Sequence, residues 1–101
     1  MAIIKVTKAS SVQSIQRQFK NEFNCNIRIY KGNIFAEQKI KINELSKKDN
    51  PGGELNVGPR SRVENVERYF METFGIKVQV SNSDNTKLAD NSLTLSQASK
   101  L

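Results

Sequence analysis

The 101-residue sequence has no histidine and one cysteine, Cys25. Without histidine the chain lacks the commonest general base at neutral pH and the commonest metal ligand. A lone cysteine supplies neither a zinc cluster nor an internal disulfide, so the fold is independent of an oxidising compartment. No stretch approaches the ~20 apolar residues of a bilayer crossing. The opening MAIIKVTKAS also carries too short an apolar run for a signal peptide. These absences predict a cytoplasmic protein with no metal and no cofactor.

Catalytic signatures are equally sparse. Cys25, next to an expected helix end and with no histidine to activate it, reads as a part-buried small thiol. Glu64, Glu67 and Glu72 share one helix but do not converge: Glu64 is accounted for by a cap and Glu67 by the polar face. The segment NPGGELNVGPRSR matches neither G-x-G-x-x-G nor G-x-x-x-x-G-K-[ST]. The expectation is a protein that is not an enzyme and has no evident small-molecule substrate.

What is present is positive charge, and it is unevenly placed. The formal net charge is +6. Residues 1–51 hold ten Lys/Arg against four Asp/Glu, whereas residues 52–101 hold six of each. A basic first half attracts anionic partners, whether nucleic acid or acidic protein, and also aids solubility.

An internal repeat dominates the pattern. Shifted by 51 residues, Val6 falls on Val57, Ser10 on Ser61, Val12 on Val63, Ile15 on Val66 and Arg17 on Arg68. Phe19 then falls on Phe70, Phe23 on Phe74, Ile27 on Val78 and Ile29 on Val80. Three- and four-residue apolar steps predict a helix in each half, and the period of two around Ile27 and Val78 predicts a strand after it. Ser10 with Gln13, and Ser61 with Glu64, read as capping boxes. Asn24 and Gly75, aligned with each other, read as left-handed helix ends. Ile4 with Val6, and Leu55 with Val57, predict a strand before each helix. The match resumes at a shift of 53, with 35–45 against 88–98, so that Leu88 takes the place of Phe35, and 36–45 and 89–98 read as either short strands or helical turns.

These signals predict one α+β domain, 1–101, with β-α-β half-repeats at 1–49 and 54–101 around one core. A turn at 50–53 within the linker-like KKDNPGGE, 47–54, joins them. The element order resembles the ferredoxin-like sandwich, which implies a four-stranded sheet with two helices on one face. The segment VENVERYFMETFGIKVQV followed by LADNSLTLSQA is also similar to the helix, strand and closing turn of β-grasp domains.

On that sandwich, Lys5, Arg28, Tyr30, Lys77 and Gln79 would share the open sheet face with Ile3 and Asn56, giving a basic surface with one aromatic. Phe35 would pack under the turn. RNA readers on this architecture stack bases on several aromatics, which argues against sequence-specific reading but leaves phosphate contacts through Lys5, Arg28, Lys31, Lys39 and Lys41. Arg60, Ser61 and Arg62 at the start of the second helix set two guanidiniums beside backbone donors, a pattern that suits an anion. The functional expectation is a binding module working by protein contact, through self-association or docking on an acidic surface. Nucleic-acid binding through the basic half is the alternative, and no membrane is involved.

Overall fold

The stripe Val12, Ile15, Phe19 and Phe23 becomes the buried face of α1 (Val12–Phe23). Its counterpart Val63, Val66, Phe70 and Phe74 is likewise buried, on α3 (Val63–Tyr69) and the π-helical turn Phe70–Phe74 that continues it. The computed structural model describes residues 2–7, 9–46 and 53–101, so Lys47, Lys48 and most of the expected 50–53 turn lie outside the described residues. The strands are β1 (Ala2–Val6), β2 (Asn26–Lys31), β3 (Ile34–Phe35), β4 (Gly53–Val57) and β5 (Lys77–Ser81). Two single helical turns, α2 (Ile42–Leu45) and α4 (Leu95–Ala98), complete the described elements. The tail segments are therefore helical turns. Each is preceded by an isolated bridge to its own half's helix start, Ser11 to Lys41 and Arg62 to Thr94.

The fold is α+β, with two antiparallel sheets among the described residues, β1-β4 and β3-β2-β5. This corrects the expected four-stranded ferredoxin-like sheet, and neither half opens with the hairpin of a β-grasp domain. The physical reason lies in the pairing partners. Ile4 sits opposite Leu55, and Arg28 opposite Gln79; under the 51-residue shift each of these residues faces its own counterpart. Equivalent strands thus pair antiparallel about a pseudo-twofold axis through both sheets. Strands of identical alternation then meet apolar against apolar, as in Ile27 with Val80 and Ile29 with Val78. Element order alone does not specify this choice. Helix α1 packs on β1 and β2, and α3 packs on β5. One core cluster contains residues of both halves, from Ile4 and Phe19 to Phe70 and Leu95.

The hydrogen bonds repeat along with the elements. Val12 N donates to Ile40 O and Gln13 N to Gln38 O, both at 2.9 Å; Val63 N donates to Leu93 O at 2.9 Å and Glu64 N to Asn91 O at 3.1 Å. Each helix start is therefore capped by carbonyls of its own tail, which satisfy donors that would otherwise be orphaned. This corrects the expected capping boxes. Ser10 Oγ accepts from Thr7 N at 2.9 Å, and Ser61 Oγ accepts from Gly58 N at 3.1 Å, so both serines close the turn before the helix. The true capping box belongs to α4: Thr94 N donates to Gln97 Oε1 at 2.9 Å and Gln97 N to Thr94 Oγ1 at 3.2 Å. Lys41 N makes the matching bond to Glu44 Oε2 at 2.9 Å, but a lysine ammonium cannot accept the return bond.

The left-handed ends behave as the sequence predicts: Asn24 has φ 55° and ψ 30°, and Gly75 has φ 67° and ψ 29°. Gly75→Ala is expected to destabilise by about 1 kcal/mol because a Cβ is strained there, while Asn24→Gly costs little. Phe19 and Phe70 are fully buried, so Phe19→Ala and Phe70→Ala should each cost about 3–5 kcal/mol in chemical denaturation. A negligible loss for either would exclude that ring from the core.

Candidate functional site

Because Ile27 and Ile29 point into the core, Arg28 and Tyr30 stand on the opposite face of β2. Phe35 on β3 and Lys77 on β5 flank Tyr30 from either side, and Gln79 lies opposite Arg28. The Tyr30 and Phe35 rings lie 5.2 Å apart between centroids at 37°. The Arg28 guanidinium is 5.9 Å from the Phe35 centroid, and Lys77 Nζ is 5.4 Å from that of Tyr30. Two cations therefore sit against two π-faces.

The polar groups are held in place. Tyr30 OH donates to Gln79 Oε1 at 2.5 Å. Arg28 donates from Nε to Asn85 Oδ1 at 2.8 Å and from a terminal nitrogen to Asn85 O at 3.1 Å. Ser81 Oγ donates to the same Asn85 Oδ1 at 2.6 Å. Among the described residues, Arg28, Lys31 and Lys77 have no ion pair with a carboxylate. Next to them, Ile34 is 68% and Phe35 63% exposed, because β3 is a two-residue strand at the edge of its sheet. The expectation that Phe35 packs under the turn is thus corrected. Its counterpart Leu88 is also exposed, at 43%.

The other expected residues are dispersed. Lys5 is exposed on β1, opposite Glu54 in the separate two-stranded sheet. Its backbone N–H donates to Gln18 Oε1, and its carbonyl accepts from Gln18 Nε2, both at 3.1 Å, so a side-chain amide closes that strand edge. The side chain of Ile3 lies outside the described residues. Lys31 is exposed at the end of β2, and Lys39 and Lys41 are exposed on the tail of the first half. Arg60 and Arg62 are exposed at the start of α3. There the donors of Val63 and Glu64 go to Leu93 and Asn91, and Ser61 O accepts from Leu95 N at 2.9 Å. An anion at that end would meet the two guanidiniums but not those backbone donors. Of the residues expected on the sheet face, Arg28, Tyr30, Lys77 and Gln79 share one organised surface.

Comparison with protein-family models, with curated proteins and with solved structures finds no match to this chain. The surface must speak for itself. Sequence reasoning missed Phe35, Ile34 and Asn85 as parts of it. The available signal was the short K-G-N-I turn, which makes β3 an edge; Asn85, 57 residues from Arg28, left none.

One buried and one half-buried titratable group, Cys25 and Glu67, lie away from this face. Burial pushes the Cys25 thiol up to about 11, partly offset by the charge of Lys20, and Sγ donates to Leu95 O at 3.2 Å. Native protein at about pH 8 should therefore resist thiol reagents that label the unfolded chain at once; rapid native labelling would contradict this burial. Burial also raises the Glu67 carboxyl above its usual range, partly offset by a 3.2 Å hydrogen bond from Val80 N. A carboxyl that titrates higher when folded favours the native state in its protonated form. That contribution is present at acid pH and is lost as pH rises through the folded value. Glu67→Gln keeps an acceptor for Val80 and matches Gln16 in the first half. It should melt no lower than the parent near pH 7 and show a smaller change between acid and neutral pH.

Proposed function

We propose that the protein is a non-catalytic cytoplasmic binding module that holds single-stranded nucleic acid on the outer face of β3-β2-β5. The supporting observation is the Tyr30–Phe35 ring pair, 5.2 Å apart and flanked by Arg28 and Lys77. Aromatic faces accept any base, and neighbouring cations neutralise the backbone, which is how sequence-tolerant single-strand binders work. The sequence-based objection to this reading was that the face carried one aromatic; Phe35 supplies the second. The described residues contain no helix long and apolar enough to cross a membrane.

Protein contact is the second reading, favoured by Ile34 and Phe35 standing exposed on a sheet edge. Its partner would be acidic, since a second copy would bring Arg28, Lys31 and Lys77 against themselves. Salt separates the two readings: phosphate contacts release counterions and weaken steeply, whereas an apolar edge contact persists. Fluorescence anisotropy with labelled oligo-thymidylate and oligo-uridylate should give binding that falls as salt rises. Phe35→Ala, at an exposed site, should weaken it by about 1–3 kcal/mol while leaving the fold intact. Failure of both oligonucleotides to bind at low salt would remove the nucleic-acid reading.

A further inference from the structure

Beside the ring pair, an open cleft of about 300 Å³ runs along the polar side of α1. Its charged lining residues are Arg17 and Lys20, three residues apart on one helix face, and the remaining polar lining residues are amides. No carboxylate among the described residues lines it. Nearby, Asp84 titrates below its usual range chiefly because its Oδ1 accepts from Thr86 Oγ1 at 2.7 Å, with the charge of Lys20 adding a smaller contribution. The Gln13 N to Gln38 O bond at 2.9 Å sets these two glutamines side by side.

The far wall is fixed. Lys20 Nζ donates to Ser83 O, and Asn26 Nδ2 donates to Asn82 O at 2.9 Å and Ser83 O at 2.8 Å. Within that loop, Asn82 Oδ1 accepts from Thr86 N at 2.8 Å and Lys87 N at 3.1 Å. Against this wall, several donors have no partner among the described residues. The Arg17 guanidinium and the side-chain amides of Gln13 and Gln38 form no hydrogen bond among them, and two of the three Lys20 protons remain.

The second half provides an internal control. The same backbone positions hold Glu64 for Gln13, Glu67 for Gln16 and Met71 for Lys20. Only the arginine is kept, and there Arg68 is spent on Asn65 Oδ1 at 2.6 Å. The scaffold does not require cations and amides at these positions, since the duplicate folds with carboxylates in two of them. On this helix face the first half presents donors with no carboxylate at the matched positions, whereas the second half sets Arg68 among Glu64 and Glu67.

We propose that this cleft is an oxyanion site that takes a phosphate group, whether free, on a nucleotide or within a strand. Arg17 is its main donor, supported by Lys20 and the two glutamine amides. Gln16, Gln38 and Asn85 also line the adjoining groove under Phe35 and Arg28, so the cleft is continuous with the ring pair. For a strand, the assignment rests on the nucleic-acid reading and adds to it a backbone subsite next to the stacking one.

The test combines two probes. Inorganic phosphate, titrated against chloride at equal ionic strength, should move the side-chain amide resonances of Gln13 and Gln38. Arg17→Gln, which removes a side chain with no protein partner, should weaken that response roughly tenfold. With labelled oligo-thymidylate it should also reduce the slope of log affinity against log salt by about 0.7, one phosphate's share for a single strand. Arg68→Gln, at the equivalent place, should do neither. Unmoved amides together with an unchanged oligonucleotide slope in Arg17→Gln would overturn the site and leave the stacking face standing. A phosphate response with no oligonucleotide binding at any salt would keep the oxyanion site and remove the nucleic-acid reading.

Discussion

Pairing of each strand with its own counterpart is the constraint on which the rest of the molecule depends. Ile4 against Leu55 and Arg28 against Gln79 put one pseudo-twofold axis through both sheets. A unit of about 50 residues buries too little surface to be stable alone, so the halves need each other. Antiparallel pairing of equivalents closes two sheets at once and gives the two helices matching apolar surroundings. The same operation sets the outer face. Because β2 and β5 meet at Arg28 and Gln79, Tyr30 comes opposite Lys77, and the hairpin to β3 adds Phe35 on its other side.

The tails belong to this scheme and are not appendages. A helix start exposes four N–H groups, and in both halves the first two go to carbonyls of the segment that follows the second strand. The tail in turn anchors α2 or α4: Ile42 N donates to Ser10 O at 2.8 Å, and Leu95 N to Ser61 O at 2.9 Å. Helix start and tail therefore satisfy each other, and Ile42 and Leu95 are buried as a result. The two starts differ in their side-chain cap: Ser11 Oγ accepts from Ser14 N at 3.1 Å at the start of α1, whereas the matching position before α3 is Arg62, whose guanidinium has no acceptor to offer.

Much of this was legible in the sequence, and what was not has definite causes. The apolar stripes, the left-handed ends at Asn24 and Gly75 and the repeat follow from local periodicity and φ preferences. Strand pairing does not, since the alternation of Ile27 and Ile29 fits a neighbour from either half. Ser10 and Ser61 satisfy the capping rule but serve the preceding turn, a choice made by tail carbonyls distant in sequence. Phe35 was assigned to packing because Leu88 shares its position, yet both are exposed. Equivalence in a repeat transmits environment, and an apolar pair can be equivalently outside. The α1 cleft went unread because matching the halves by hydrophobicity passes over Gln13, Gln16 and Lys20, where they differ in charge.

Duplication sharpens what those differences mean. At buried positions the two halves must solve one packing problem twice, so Val12 and Val63, or Phe19 and Phe70, agree for reasons of volume alone. At exposed positions packing imposes nothing, and the halves separate most where the surface is free to serve a ligand. Gln16 and Glu67 show how small the structural difference is: one donates its amide to Ile27 O, the other accepts from Val80 N, and both tie the helix to its strand. The electrostatic difference is large by comparison, because the carboxylate is half-buried at some cost while the amide adds no negative charge beside Arg17 and Lys20. In this duplicated scaffold the proposed oxyanion cleft falls on the helix face that carries Arg17 and Lys20, adjoining the groove under the exposed Phe35 ring, and not on the face where Glu64 and Glu67 stand.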